Sequence, residues 1–432
     1  MRLFLAVVLV ATASVAATAT PAHACSCAMP DPRSLLPQAD GAFVGRLVTR
    51  RDAGDGRAVF TFRVERRVKG ALGDTVDVES ASNGAACGLE ATVGARIGLF
   101  LERRNGRWTS SLCWQVSPED LLAAALPLPP PNGRGPVTLL VAGRFGPVRL
   151  LALDAHGRTL AYGRGEGSVL RVSPCPGKRR AAEAVYHPSG SVRVVIRTLP
   201  GLRVVRQQPL AAPPGTSLTS LRCETGDGTR LLVFHAASDR PERSRLERVT
   251  PARRAVLWDG SAIGATLTAR TAFVLGGDRG TTLVAVDTRS GARRTVGRIP
   301  APSNGLVGNA DGSVLAGLTF RSGSPRPLLF RLRVAPFAIV TTETPEGGDL
   351  AFADARRVVL LAGGGSRARV YGADLRVVTR FGWSAHRSTV AASTAYGVGA
   401  DARLLAAPLP AGPERALRRL PGPSVTEIVP VR

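Results

Sequence analysis

The chain has 432 residues and a formal net charge of +25, from 57 Lys and Arg against 32 Asp and Glu. That length exceeds one ordinary small core and points to two domains. All basic residues except Lys69 and Lys178 are arginines. They are scattered, as in Arg50-Arg51, Arg66-Arg67 and Arg253-Arg254, with no interleaved aromatics, so no nucleic-acid groove is marked. The charge reads as a solvated, compositionally biased surface, which anionic cell-surface polymers or lipids could still attract at low salt.

Arg2 is followed by an apolar run over residues 3–17 and by the small-x-small triplet Ala22-His23-Ala24. This is the pattern of a secretory signal peptide over residues 1–24, cut between Ala24 and Cys25. The run is too short to span a membrane. The exported chain would then begin Cys25-Ser26-Cys27. A cysteine after the cut also marks lipoproteins, but Ala22 and His23 stand where that class has Leu and a small residue. An unacylated Cys25 is expected, in a secreted or envelope-surface protein.

Six cysteines in an exported chain point to disulfides. Cys25, Cys27, Cys87 and Cys113 lie early, and Cys175 and Cys223 lie late. No CxxC pair and no Cys/His spacing suits zinc. The four early cysteines allow three pairings.

In residues 25–126, segments 42–49, 59–68, 75–79, 95–102 and 107–113 read as strands. Phe60, Phe62 and Val64 alternate with Thr61, Arg63 and Glu65, the period of a half-buried strand. Asn105-Gly106 is a hairpin turn, since both residues tolerate positive φ. Ser117-Pro118 opens a short helix with Leu121, Leu122 and Ala125 on its apolar face. Five strands and a terminal helix suggest a small closed barrel of OB type.

An N-terminal Cys-Ser-Cys, this strand order, a mid-domain Cys87 and a Cys113 after the last hairpin together resemble the netrin-like module. More closely, they resemble the tissue inhibitors of metalloproteinases and their bacterial relatives, over residues 25–126. The resemblance implies the disulfides Cys25–Cys87 and Cys27–Cys113. It also implies that the Cys25 amino group and carbonyl chelate the zinc of a partner metalloprotease, with Ser26 entering the adjoining pocket. The module's usual third disulfide and the family's cysteine-rich second subdomain are absent here. An α-amino group titrates near pH 7.7–8.0, so a fraction is free to bind metal at neutral pH.

Residues 127–135 are proline-rich and form a semi-rigid linker. From 136 to 432 a strand–turn–strand unit recurs, with turns near Gly157, Gly190, Gly228, Arg270, Gly312, Ala355 and Thr394. A period near 40 residues with several short strands per unit is a propeller rhythm. Seven turns suggest a seven-bladed β-propeller, with six blades as the alternative. The rhythm resembles WD40 or YVTN propellers without their Trp-Asp or Gly-His signatures. Cys175 and Cys223 are left to pair with each other and to link early blades.

The remaining candidates carry little chemistry. His156, His187, His235 and His386 fit no zincin spacing, and His156 and His187 are expected at equivalent places in successive turns. No nucleophile elbow or P-loop occurs. Glu65, Glu79, Glu90 and Glu102 read as surface carboxylates, and Trp108 and Trp114 as barrel packing. Trp258 and Trp383 are expected in outer blade strands. The expectation is therefore an all-β, non-catalytic secreted protein-binding scaffold without a cofactor. Metalloprotease inhibition through Cys25 is the alternative, and a hydrolase sited in the propeller a second one.

Overall fold

The structure is a computed structural model. It describes residues 32–431, apart from 146–147, 166, 188–190, 238–242, 277–281, 300–302, 310, 320–325, 363–366, 386, 392, 400–402, 411 and 421–423. Residues 1–24, where a signal peptide is expected, and Cys25, Ser26 and Cys27 lie outside the described residues, as does His386. The chain divides into two compact units, residues 1–126 and 127–432.

In the first unit, β1 (Gly41–Gly54), β2 (Arg57–Lys69), β3 (Thr75–Ala81), β4 (Arg96–Arg104), β5 (Arg107–Thr109) and β6 (Gln115–Val116) form one sheet. Its order is β1-β2-β3-β5-β4-β6, and β1 also pairs with β4, so β1 is bonded along both edges. The β3–β5 pair is parallel and the others are antiparallel. Phe60 and Phe62 are fully buried with Phe43, Leu99 and Leu101, and Val64 packs on the same core. Asn105 and Gly106 take φ of 49° and 79°, so both central residues of the hairpin are left-handed.

Two local expectations are corrected. The last strand stops at Thr109, and Cys113 lies in a 3-10 turn, Leu112–Trp114. In the helix Pro118–Ala125 the Ser117 hydroxyl caps the Asp120 N–H. Its buried face is Leu121 and Ala124, one helical turn apart, while Ala125 is exposed. The helix lies close on Gly98, where a Cβ would come within 2.9 Å of the Ser117 carbonyl and 3.0 Å of Leu121. Trp108 and Trp114 each pack against a core cluster of this unit, as expected.

The second unit is seven four-stranded antiparallel sheets. Blades II to VII follow the chain over 168–209, 217–260, 262–298, 303–343, 349–382 and 387–419. Blade I joins the late strand Ser424–Pro430, as its inner strand, to Leu139–Phe145, Val148–Leu153 and Thr159–Arg164. Each inner strand touches the inner strands of the blades on either side, and the cycle closes between blades I and II. That closed order is a seven-bladed β-propeller.

Middle strands such as Val148–Leu153, Leu231–Ala236 and Val314–Thr319 are buried along their whole length. They are covered on both faces by neighbouring blades, so they read as unbroken apolar runs rather than alternation. Outer strands such as Val204–Pro209 and Ala338–Glu343 are mostly exposed. Trp258 lies in an outer strand, and Trp383 directly follows one.

The sequence markers do not all fall in one kind of turn. Gly228, Arg270, Gly312 and Ala355 lie between the first and second strands of their blades, and Thr394 is the first residue of the second strand of blade VII. Gly157 lies between the third and fourth strands of blade I, and Gly190, outside the described residues, lies between strands two and three of blade II. His156 and His187 therefore occupy different turns and are not repeat equivalents. The proline-rich segment is not a free connector throughout. The N–H groups of Asn132 and Gly133 donate to the Thr159 carbonyl at 3.0 and 2.7 Å, and the Tyr162 hydroxyl donates to Pro129 O at 2.6 Å.

Candidate binding site in the propeller channel

The inner strands of blades I to VII are Ser424–Pro430, Ser168–Pro174, Ser217–Cys223, Ala262–Leu267, Ser303–Gly308, Asp349–Phe352 and Arg387–Ala391. In blades I to V each pairs with its neighbour through a bulge at one position, skipping Thr426, Leu170, Thr219, Ile263 and Asn304. A bulge bends the strand and re-aims the following side chain. The residues that follow, three places before each strand's end, are Glu427, Arg171, Ser220, Gly264 and Gly305. Asp349 and Ser388 hold the same place in blades VI and VII.

This ring is tied together by polar groups. Arg171 Nε donates to Thr219 O at 2.6 Å, Ser220 Oγ to Ala265 O at 3.0 Å, and Thr266 Oγ1 to Leu306 O at 2.7 Å. Arg222 Nη1 donates to Leu267 O at 3.2 Å. The Val172 N–H donates to Glu427 Oε2 at 2.6 Å, and the Ser388 N–H to Asp349 Oδ2 at 3.0 Å. These bonds run from one inner strand to the next, so they fix the blades' spacing as well as the charged groups.

Both carboxyls are tuned by their surroundings. Burial pushes Glu427 up to about 7, against the opposing pull of Arg171, the Val172 N–H and Arg387. Burial likewise raises Asp349, opposed by the Ser388 N–H and Arg387. A carboxyl poised near neutrality donates a hydrogen bond when protonated and serves as a counter-ion when ionised. Among the described residues no group of three His, Cys, Asp or Glu is arranged to hold a metal ion.

A second buried titratable group works with the opposite sign. His235, in Leu231–Ala236 of blade III, is completely buried, and neither ring nitrogen has a hydrogen-bond partner. Its Nε2 lies 3.8 Å from Glu247 Oε2, and Glu247 is also paired with Arg254. Burial, with Arg254 and Arg245 nearby, lowers His235 to about 4.

The folded state thus holds a proton on Glu427 between about pH 4.5 and 7 that the unfolded chain releases, so this contribution is lost as pH rises through 7. His235 excludes a proton between about pH 6.5 and 4, so its contribution is lost as pH falls through that window. The two slopes oppose each other, which flattens the wild-type profile from pH 5 to 6.5. Glu427→Gln is expected to gain stability relative to wild type on going from pH 5 to pH 8, by up to about 3 kcal/mol. His235→Phe is expected to lose the acid-side slope instead. Urea midpoints at the two pH values read both effects, and parallel pH profiles for all three proteins contradict the assignments.

Among the other sequence-predicted residues, Cys87 sits at φ 62° after the 3-10 turn Gly84–Ala86, and its carbonyl accepts the Leu112 N–H at 2.9 Å. Cys87 and Cys113 are therefore neighbours, and both are disulfide-bonded. Cys175 and Cys223 form the expected disulfide, with Cα atoms 4.8 Å apart, linking the ends of the inner strands of blades II and III. Glu65 pairs with Arg96, Glu79 with Arg107, and Glu102 with Arg104, as expected of surface carboxylates. The channel residues Arg171, Arg222, Asp349 and Glu427 were missed by sequence reasoning. Repeats aligned on turns do not align the inner strands, and the ring position holds five different residue types.

No protein-family model and no curated protein matches this sequence. Among solved structures, the chain is similar to TolB from Acinetobacter baumannii, at 13% identity and a TM-score of 0.42 over 78% of each chain. It is also similar to hydrazine synthase from Kuenenia stuttgartiensis, at 11% identity and a TM-score of 0.45, over 60% of this chain and 91% of that one. The β-propeller domain of Cps50 (Swd1) from Myceliophteria thermophila matches at 13% identity and a TM-score of 0.44, over 64% of this chain and 94% of that one. The propeller assignment rests on the closed ring of seven sheets.

Proposed function

We propose that the protein is an exported, non-catalytic binding scaffold, in which a netrin-like barrel of OB type precedes a propeller that engages a protein partner. The observation that carries this reading is the channel ring. Side-chain bonds tie the inner strands of blades I to V in succession and those of blades VI and VII to each other around charged groups, which pre-organises the polar groups of the ring. Pairing of β1 with both β2 and β4 supports the barrel. The disulfides support an oxidising compartment, and hence export.

A second reading, metalloprotease inhibition through Cys25, is favoured by one specific feature. Cys87 and Cys113, the partners that the family resemblance assigns to Cys25 and Cys27, are brought side by side and are both oxidised. A Cys-Ser-Cys segment pinned at that point would be a stiff tip.

Mass spectrometry of the exported protein is expected to show a start at an unacylated Cys25 and the pairings Cys25–Cys87 and Cys27–Cys113. A different start, or an acyl group there, removes the inhibitor reading. A single-residue N-terminal extension then separates the two functions. Partner binding retained by the extended protein belongs to the scaffold, whereas protease inhibition abolished with the fold intact belongs to the tip.

A further inference from the structure

The propeller face that carries the first-to-second and third-to-fourth strand turns holds a cleft of about 290 Å³ between blades III and IV. Four arginines line it, Arg230, Arg248, Arg270 and Arg289, against two carboxylates, Glu224 and Asp287. Both carboxylates are already engaged. Glu224 Oε2 lies 3.1 Å from Arg230 Nε and 3.8 Å from Arg248 Nε. Asp287 Oδ1 accepts the Arg289 N–H at 3.0 Å, the Ser290 N–H at 2.7 Å and the Ser290 hydroxyl at 2.8 Å. Those hydrogen bonds, with the Arg289 charge beside it, hold Asp287 below the usual carboxylate range.

The Arg270 and Arg289 guanidinium groups make no hydrogen bond or ion pair among the described residues. Their backbones, however, are fixed. The Thr288 N–H donates to Arg270 O at 3.0 Å, which joins two turns of blade IV. Arg248 Nη2 donates to Arg289 O at 2.7 Å, which ties that turn to blade III. Two positive charges in excess thus stand on a pinned rim around a cleft with ample room for a small anionic group. Guanidinium pairs match the oxygen spacing of phosphate and sulfate.

We propose that this cleft binds a tetrahedral oxyanion, a phosphate or sulfate group, with Arg270 and Arg289 as its principal ligands and Arg230 and Arg248 as its floor. The site lies within the propeller and does not depend on what the N-terminal unit does.

The test is calorimetric titration of the full chain with inorganic phosphate, sulfate and glycerol 3-phosphate, at fixed ionic strength in chloride. Saturable binding is expected. The pair Arg270→Gln and Arg289→Gln should weaken it by at least about tenfold. The pair Arg203→Gln and Arg253→Gln removes the same charge from exposed turns of the same face outside the cleft. It should leave the affinity within about twofold. Tighter binding of the ester marks an oxyanion carried on a larger molecule, and tighter binding of the inorganic ions marks a free anion. Either supports the site. Absence of saturable binding, or equal weakening by both variant pairs, overturns it. Circular dichroism of each variant establishes that the fold is retained.

Discussion

Truncation before residue 424 is expected to abolish cooperative unfolding of the propeller rather than lower its midpoint by a few degrees. The strand Ser424–Pro430 is the inner strand of blade I and pairs with Leu139–Phe145. It also touches the inner strands of blades II and VII. Ile428 and Val431 are buried in two different core clusters, and Val425 and Val429 pack against the same two. Losing that apolar burial costs about 6–10 kcal/mol, which is comparable with the whole stability of a typical domain. The truncated ring would also present Leu139–Phe145 as a bare edge, a template for aggregation. Differential scanning calorimetry checks this, with a peptide of residues 424–432 added in trans to restore the transition. A truncated chain that stays soluble and melts as sharply as the wild type would show that strand pairing in blade I is not what closes the ring.

The second large effect is expected at Glu183, in the second strand of blade II. Its Oε1 accepts hydrogen bonds from Arg149 Nε at 3.1 Å and Nη2 at 2.8 Å, and from Arg197 Nε at 2.7 Å. All three side chains are almost completely buried. Arg149 belongs to blade I, and Arg197 of blade II also reaches the Arg164 carbonyl of blade I at 2.7 Å and the Leu202 carbonyl at 2.8 Å. The cluster therefore clamps the blade that contains the seam to its neighbour.

Glu183→Gln removes the buried carboxylate that the Arg149 and Arg197 guanidinium groups share, an expected loss of about 3–5 kcal/mol. Replacing Glu183, Arg149 and Arg197 together by apolar residues of similar volume is expected to recover most of that loss, because the desolvation cost disappears with the charges. Chemical denaturation measures both. A Glu183→Gln protein within about 1 kcal/mol of wild type would mean that water reaches the cluster and screens it.

Much of the architecture was legible because it is written in local chemistry. The Phe60–Phe62–Val64 alternation reports a strand with one buried face, and Asn105-Gly106 reports a turn that needs two left-handed residues. The run Leu231 to Phe234 reports a strand covered on both sides. Cys175 and Cys223 were the only cysteines left once the early four were grouped, and the structure joins them. Misreadings came where local signals were ambiguous between equivalents. Gly157 and Gly190 mark different turns from the five later markers, so the apparent spacing began short. Ala124 and Ala125 are indistinguishable by type, and only packing against the sheet selected the first.

The sequence by itself determined that short strand-forming runs fill the chain, where many of them turn and how the composition divides, since each depends on a few neighbouring residues. Tertiary structure alone decided what those runs place together. Glu427 and Arg171 are 256 positions apart in the chain and share one ring position only because the last strand returns to blade I. Arg149, Glu183 and Arg197, and the arginines around the cleft of blades III and IV, are likewise joined by blade-to-blade contact. Burial and charge proximity act through space, so the raised Glu427, the lowered His235 and the unpaired arginine rim have no signature in any single segment.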